Sequence, residues 1–97
     1  MKFWPLGLYR VAGDSMQPTY QPGDLLLGWR WFRAKYNDIV VVRRDSIHLI
    51  KRLKSIDADG YWLEGDNAKA STDSRQWGYL QSHQLEAVII AKLGQKS

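Results

Sequence analysis

The sequence contains no cysteine, so it can form no disulfide, no thiolate nucleophile and no cysteine zinc site. Its two histidines, His48 and His83, stand far apart in the sequence, which argues against a histidine-based metal centre. Nowhere does an uninterrupted apolar run reach the length of about 18 residues that marks a bilayer-spanning helix. Near the N-terminus Lys2 precedes an apolar stretch over 3–9, but Pro5 and Gly7 interrupt it and it is too short for a signal-peptide core. Internal repeats, low-complexity tracts and long blocks of one charge are also missing. These absences make a soluble chain in the cytoplasm, with no cofactor and no metal of its own, the default expectation.

What is present is a composition typical of a folded domain. Ninety-seven residues, 44% hydrophobic and 25% charged, suffice for one domain with a modest core and argue against disorder. Residues 1–97 read as a single unit, with 1–5 and 94–97 expected to fray. The net charge of +4 permits contact with nucleic acid or acidic lipid without requiring it. The most suggestive stretch is Trp29-Arg30-Trp31-Phe32-Arg33, where cations and aromatics interleave as on surfaces that bind single strands. An exposed hairpin or a partner-facing edge is the preferred reading, and no nucleic-acid partner is expected.

Gly-Asp, Asn-Asp and Asp-Gly pairs punctuate the chain, with short runs of Val, Ile, Leu and aromatics between them. That pattern predicts an all-β fold, a compact single domain of short, mostly antiparallel strands. Strands are predicted near 6–11, 25–32, 39–43, 47–56, 61–64 and 85–93, with a short helical turn over 15–20. Residues 66–77 have no clear period and read as a long ordered loop, the kind of segment that often carries function. Asp57-Ala58-Asp59-Gly60 lacks the later ligands of a calcium loop and reads as a hairpin turn.

One stretch, Ala-Gly-Asp-Ser-Met-Gln-Pro-Thr over 12–19, holds Ser15 between a turn-forming Gly13 and a stiffening Pro18. A serine so constrained suggests a nucleophile, which needs a base. In the strand over 47–56 side chains alternate between faces, so Lys51 shares a face with Ile47, Leu49 and Leu53. If that face is the core face, burial disfavours the ammonium and lowers its pKa. A neutral lysine can then take the serine proton, as in Ser-Lys relatives of the Ser-His-Asp arrangement. The alternative is a lysine that snorkels to the edge or pairs with an aspartate. His48 falls on the opposite face and His83 in a polar stretch, so both read as surface residues.

Four blocks now stand in order: residues 13–19 with Pro22-Gly23-Asp24 following, Asn37 to Val42, Ile50-Lys51-Arg52-Leu53, and Gly65-Asp66-Asn67 leading to Ser71 through Gly78. Together they resemble the catalytic domain of the type I signal peptidases, Ser/Lys-dyad proteases whose superfamily includes the self-cleaving SOS-response repressors. The resemblance implies that Ser15 is the nucleophile and Lys51 the general base, with Ser71 orienting the lysine. It implies an oxyanion donor at the Ser15 N–H, with Gly13 standing where many signal peptidases carry an assisting serine. Met16 and Pro18 would pack beneath the nucleophile, Asp73 and Arg75 would brace the nearby loop as an ion pair, and Ser74 would stabilise that loop.

Only fourteen residues precede Ser15, so a minimal core without a membrane anchor is expected. In that respect the chain is similar to the small soluble maturation proteases of nickel-type superoxide dismutase, for which the metal belongs to the substrate. The implied partner is a protein precursor bound as an extended strand, its propeptide or presequence being removed. Weak contact with a membrane surface through Trp29, Trp31 and Phe32 accompanies the alternative, a presequence peptidase without its own anchor. A non-catalytic relative that binds peptide or nucleic acid is the remaining alternative, and the oligomeric state is left open.

Overall fold

The computed structural model describes residues 4–95. Runs of β-branched and aromatic residues form six strands, β1 (Leu6–Arg10), β2 (Leu25–Trp29), β3 (Ile39–Arg44), β4 (Ile47–Asp57), β5 (Gly60–Glu64) and β6 (Leu85–Gly94). They join in one sheet of order β1-β2-β6-β3-β4-β5, and every neighbouring pair is antiparallel. The Asp57–Gly60 turn closes the β4–β5 hairpin, with Asp59 N–H donating to the Asp57 carboxylate at 2.8 Å.

Alternation along β3 builds the core. Val40 and Val42 enter one apolar cluster with Leu53, Leu63, Leu80 and Leu85, while Val41 enters another with Tyr9 and Ala87. Successive side chains of a strand point to opposite faces, so β3 is buried on both. Each such aliphatic contributes about 1.5–3 kcal/mol by leaving water.

Several sequence expectations need correction. The second strand ends at Trp29 rather than at 32: Trp29 faces Leu6, the first residue of β1, and its pairing with β6 stops at Val88. Beyond it Arg30 N–H donates to the Pro5 carbonyl at 2.6 Å, and Phe32 and Ala34 fold onto the core. Residues 15–20 form turns with one helix-like bond, Tyr20 N–H to Met16 C=O at 2.9 Å. Residues 66–77 are not plain loop: they contain a 3₁₀ turn, Ala68–Ala70, and a one-turn helix α1, Ser74–Trp77. Of the ends expected to fray, residues 1–3 and 96–97 lie outside the described residues. Pro5 is tied to Arg30, and Gly94 is paired with Leu25 in β6. No helix among the described residues is long and apolar enough to cross a membrane.

Candidate active site

Three segments meet around one cavity: the β1–β2 connection, β4 and the β5–β6 connection. The base of the first is pinned, since Val11 N–H donates to Asp24 C=O at 2.9 Å and Gly23 N–H returns to Val11 C=O at 2.7 Å. Asp24 is buried and caps its own turn by accepting from Gln21 N–H at 2.9 Å. Above this base the chain reverses through Gly13, whose φ of 75° lies in the region that glycine enters at little cost. Gln17 bonds Asp14 through its side chain at 2.8 Å, and Met16 is fully buried, so the Ser15 turn is anchored from below by Met16. Pro18, expected to pack there too, is exposed: the chain has already turned outward, so its ring cannot lie beneath Ser15.

Lys51 projects from β4 and is only 3% exposed. Its neighbour on the same face, Leu53, is also buried, whereas Ile47, at the strand's start, is exposed because the core does not reach that far. Lys51 Nζ donates to Ser71 Oγ at 3.0 Å, and Ser71 Oγ in turn donates to the Asp73 carboxylate at 2.5 Å. Burial holds the Lys51 ammonium below its ordinary pKa; Asp73 opposes that shift and Arg75 reinforces it. Lys51 and the half-buried Ser15 line one cavity of about 230 Å³ with Gly13, Leu49, Thr72 and Trp77.

Asp73 organises the far wall. It is fully buried and starts α1 as its N-cap, with Gln76 completing a capping box. Arg75 grips it through Nε at 3.0 Å and Nη2 at 2.7 Å, and Gly65 N–H donates to it at 2.8 Å. Burial alone would raise this carboxyl; Arg75, Ser71 and the two backbone donors outweigh that and hold it far below the usual carboxylate range. Ser74 is buried and accepts from Leu63 N–H at 2.9 Å, which fastens α1 to β5. Trp77 packs on the core and carries the Arg44 guanidinium 4.4 Å above its ring.

The sequence reading assigned no role to the residues that tie these segments together. Asn67 donates from its backbone to Ser15 C=O at 2.8 Å and from its side chain to Asp14 C=O at 3.1 Å. Asp66 receives two 2.8 Å bonds from Arg52, the residue after Lys51, and one of 2.5 Å from Thr19. Gly65 lies so close that a Cβ there would meet the Ser71 side chain and the Ser15 carbonyl oxygen. The one available signal was the Gly-Asp-Asn triplet directly after a strand, because glycine permits close approach and Asp and Asn bond neighbouring backbone.

Ser15 also opens onto a second cavity of about 280 Å³, bounded by Leu8 to Ala12 and by Ile47 to Ile50. This cleft follows β1, which among the described residues pairs only with β2 and stands at the edge of the sheet. Among the described residues the Ser15 N–H meets no protein acceptor. His48, exposed as the sequence suggested, lines this second cleft, and His83 is exposed away from Ser15.

An antiparallel all-β sheet holding a serine and a buried lysine on one cavity defines the type I signal peptidase-like class of serine peptidases. Residues 5–90 match the Peptidase S24-like family, and the chain belongs to that family. It is similar to mitochondrial inner membrane protease subunit 1 of Mus musculus, 27% identical over 114 residues, covering 90% of this chain and 69% of the relative. The same subunit of Xenopus tropicalis is 31% identical over 94 residues, covering 69% of this chain and 56% of the relative. Signal peptidase I of Bacillus licheniformis is 28% identical over 88 residues, covering 84% of this chain and 47% of the relative.

Proposed function

We propose that this chain is a serine endopeptidase that removes an N-terminal propeptide or presequence from a precursor protein, with Ser15 as nucleophile and Lys51 as its base. The observation that carries the reading is the burial of Lys51, bonded to Ser71, on the cavity that Ser15 lines. A neutral amine has two N–H bonds and one lone pair. Because the Ser71 hydroxyl proton is committed to Asp73, Ser71 accepts an N–H of Lys51 and turns the lone pair toward the cavity.

In this mechanism Ser15 Oγ attacks the scissile carbonyl carbon and Lys51 Nζ takes its proton. The tetrahedral intermediate collapses as Lys51 gives that proton to the leaving amine. Water, deprotonated by Lys51, then attacks the acyl-Ser15 ester; the bond to Ser15 Oγ breaks as Lys51 returns the proton to Oγ, and the carboxylic acid leaves. The Ser15 N–H stabilises the oxyanion, a contribution of about 3–4 kcal/mol per donor; the backbone at Gly13 is the candidate for a second donor. The precursor lies extended along the outer edge of β1, bound by main-chain hydrogen bonds as an added strand.

Two precursor classes fit. The names of the relatives favour a presequence processed at a membrane, with the exposed Trp29 and Trp31 suited to a bilayer surface. The resemblance to the nickel superoxide dismutase maturation proteases favours a propeptide whose removal bares a metal-binding N-terminus, carried out in the cytoplasm. Intact-mass spectrometry of both precursor types after incubation, beside Ser15→Ala, tests the proposal. One discrete cut that Ser15→Ala abolishes is expected, and the precursor cut chooses the class. A cut that survives Ser15→Ala would overturn the assignment. Flotation with anionic vesicles then asks whether the membrane reading holds.

A further inference from the structure

A third cavity, of about 320 Å³, is bounded by Arg30, Trp31, Phe32, Arg43, His83 and Glu86, and the proposed chemistry uses none of them. It adjoins the cleft beside Ser15. Arg43 pairs across β3 and β4 with His48, which lines that cleft, and the two side chains stand 3.4 Å apart. Glu86 bridges the two spaces, accepting from Tyr9 Oη at 2.9 Å and lying 3.2 Å from His48 Nε2.

The charge balance here is uneven. Glu86 is the one carboxylate on this wall among the described residues; its side chain is only 8% exposed, and Tyr9, Arg43 and His48 surround it. Arg43, by contrast, has a side chain 55% exposed and makes both its contacts, each 3.4 Å long, through Nη2. Among the described residues nothing engages its Nε or Nη1 edge. Arg30 is fixed by Tyr9 and the Trp4 carbonyl, so it supplies a positioned cation, and Trp31 and Phe32 supply apolar walls. A planar guanidinium with free donors is suited to bidentate binding of a carboxylate.

The geometry points to a specificity site for an acidic side chain of the precursor, held by Arg43 with support from Arg30. This rests on the proteolytic reading above. His48 lies three residues before Lys51 on β4, about 10 Å at the strand rise of about 3.3 Å per residue. An extended precursor therefore reaches Arg43 with an Asp or Glu about three to five residues from the cut bond. A precursor carboxylate is the favoured ligand, because the cavity adjoins the cleft that Ser15 lines; a nucleic-acid phosphate is an outcome of the test.

The test uses Ser15→Ala, which retains substrate, and isotope-labelled amide and indole NMR. The probes are twelve-residue peptides of Ala, Val and Ser carrying one Glu at successive positions, each beside its Gln twin. Expected is a Glu peptide that shifts the Arg43, His48 and Trp31 signals, binds about tenfold tighter than its Gln twin, loses that margin in 0.5 M salt, and loses it again when Arg43→Gln is added. Equal binding of Glu and Gln peptides, or a margin that survives Arg43→Gln, overturns the site, as does absence of shifts there at millimolar peptide. Tighter, salt-dependent binding of a single-stranded oligonucleotide at the same signals overturns it in favour of phosphate. The proteolytic reading is scored separately by cleavage with the wild-type chain: cutting without acidic preference sinks only the site, and acidic binding without any cutting sinks the protease and reduces the site to one that binds acidic peptides.

Discussion

A buried lysine costs folding energy, and Lys51, 3% exposed on β4, carries that cost where the proposed chemistry needs it. Lys51→Met keeps the volume and removes the charge, so it is expected to raise stability by about 1 kcal/mol while abolishing cleavage. A urea midpoint that falls instead would mean that the ammonium's partners outweigh its desolvation. Ser71→Ala removes the acceptor of Lys51 Nζ and is expected to lower kcat by about tenfold to a hundredfold through misplacement of the amine, with KM little changed. Ser71→Thr, which keeps the hydroxyl, is expected to recover most of that loss; equal loss in both variants would point to packing instead. At this scale the sequence was informative where a short period decides the answer. Two-residue alternation put Lys51 with Leu49 and Leu53, and the structure buries Lys51 and Leu53. Ser71 and Asp73 were reachable only through the family resemblance, since no local pattern says which loop serine meets a lysine twenty residues away. Pro18 was misjudged because composition shows that a turn is stiff without showing which side faces the core.

Strands and turns position these side chains, and the Gly65-Asp66-Asn67 segment is the joint between them. Between them the residues of the triplet bond three segments: Gly65 bonds Asp73, Asp66 bonds Arg52 on β4 and Thr19, and Asn67 bonds Ser15 in the same turn as Thr19. Gly65→Ala forces a methyl group against Ser71 and the Ser15 carbonyl. The expected result is a loss of about 2 kcal/mol in stability, within the range for overpacking, together with a larger fall in kcat than in the stability-matched control Leu63→Val; equal falls would remove Gly65 from the site. The strands themselves were largely legible, because Val, Ile and aromatic runs between glycine turns have few other uses. β2 was read too long because its composition continues past the point where β1 ends and the pairing with β6 stops. α1 was missed because four residues cannot display a helical period, although Asp73-x-x-Gln76 is a capping-box signature.

For the whole molecule the consequence is a pH dependence with a definite sign. Asp73 and Asp66 both have folded pKa values below the ordinary carboxylate value, burial being outweighed by Arg75 and its companions at Asp73 and Arg52 leading at Asp66. The stability they contribute is present above the unfolded value of about 4 and is lost as pH falls through their lowered folded values. Lys51, also lowered, acts at the other end: its penalty is full below its folded value and fades as pH rises toward the unfolded value of about 10.4. Urea midpoints should therefore climb from pH 2 to 5 and again on the alkaline side, whereas a flat acid limb would contradict the account of Asp73. The sheet order could not be read from the sequence. β6 inserts between β2 and β3, and alternation tells which face of a strand is apolar but not which strand lies beside it.

The central claim is that Ser15 cuts a precursor with a neutral Lys51 as its base, and the most direct measurement is the pH profile of kcat/KM for one precursor cut. The account predicts a rate that rises with pH through an apparent pKa well below that of an ordinary lysine, falls about a thousandfold in Lys51→Ala, and vanishes in Ser15→Ala. A rate independent of Lys51, or one whose rise sits at the pKa of a solvent-exposed lysine, would contradict it.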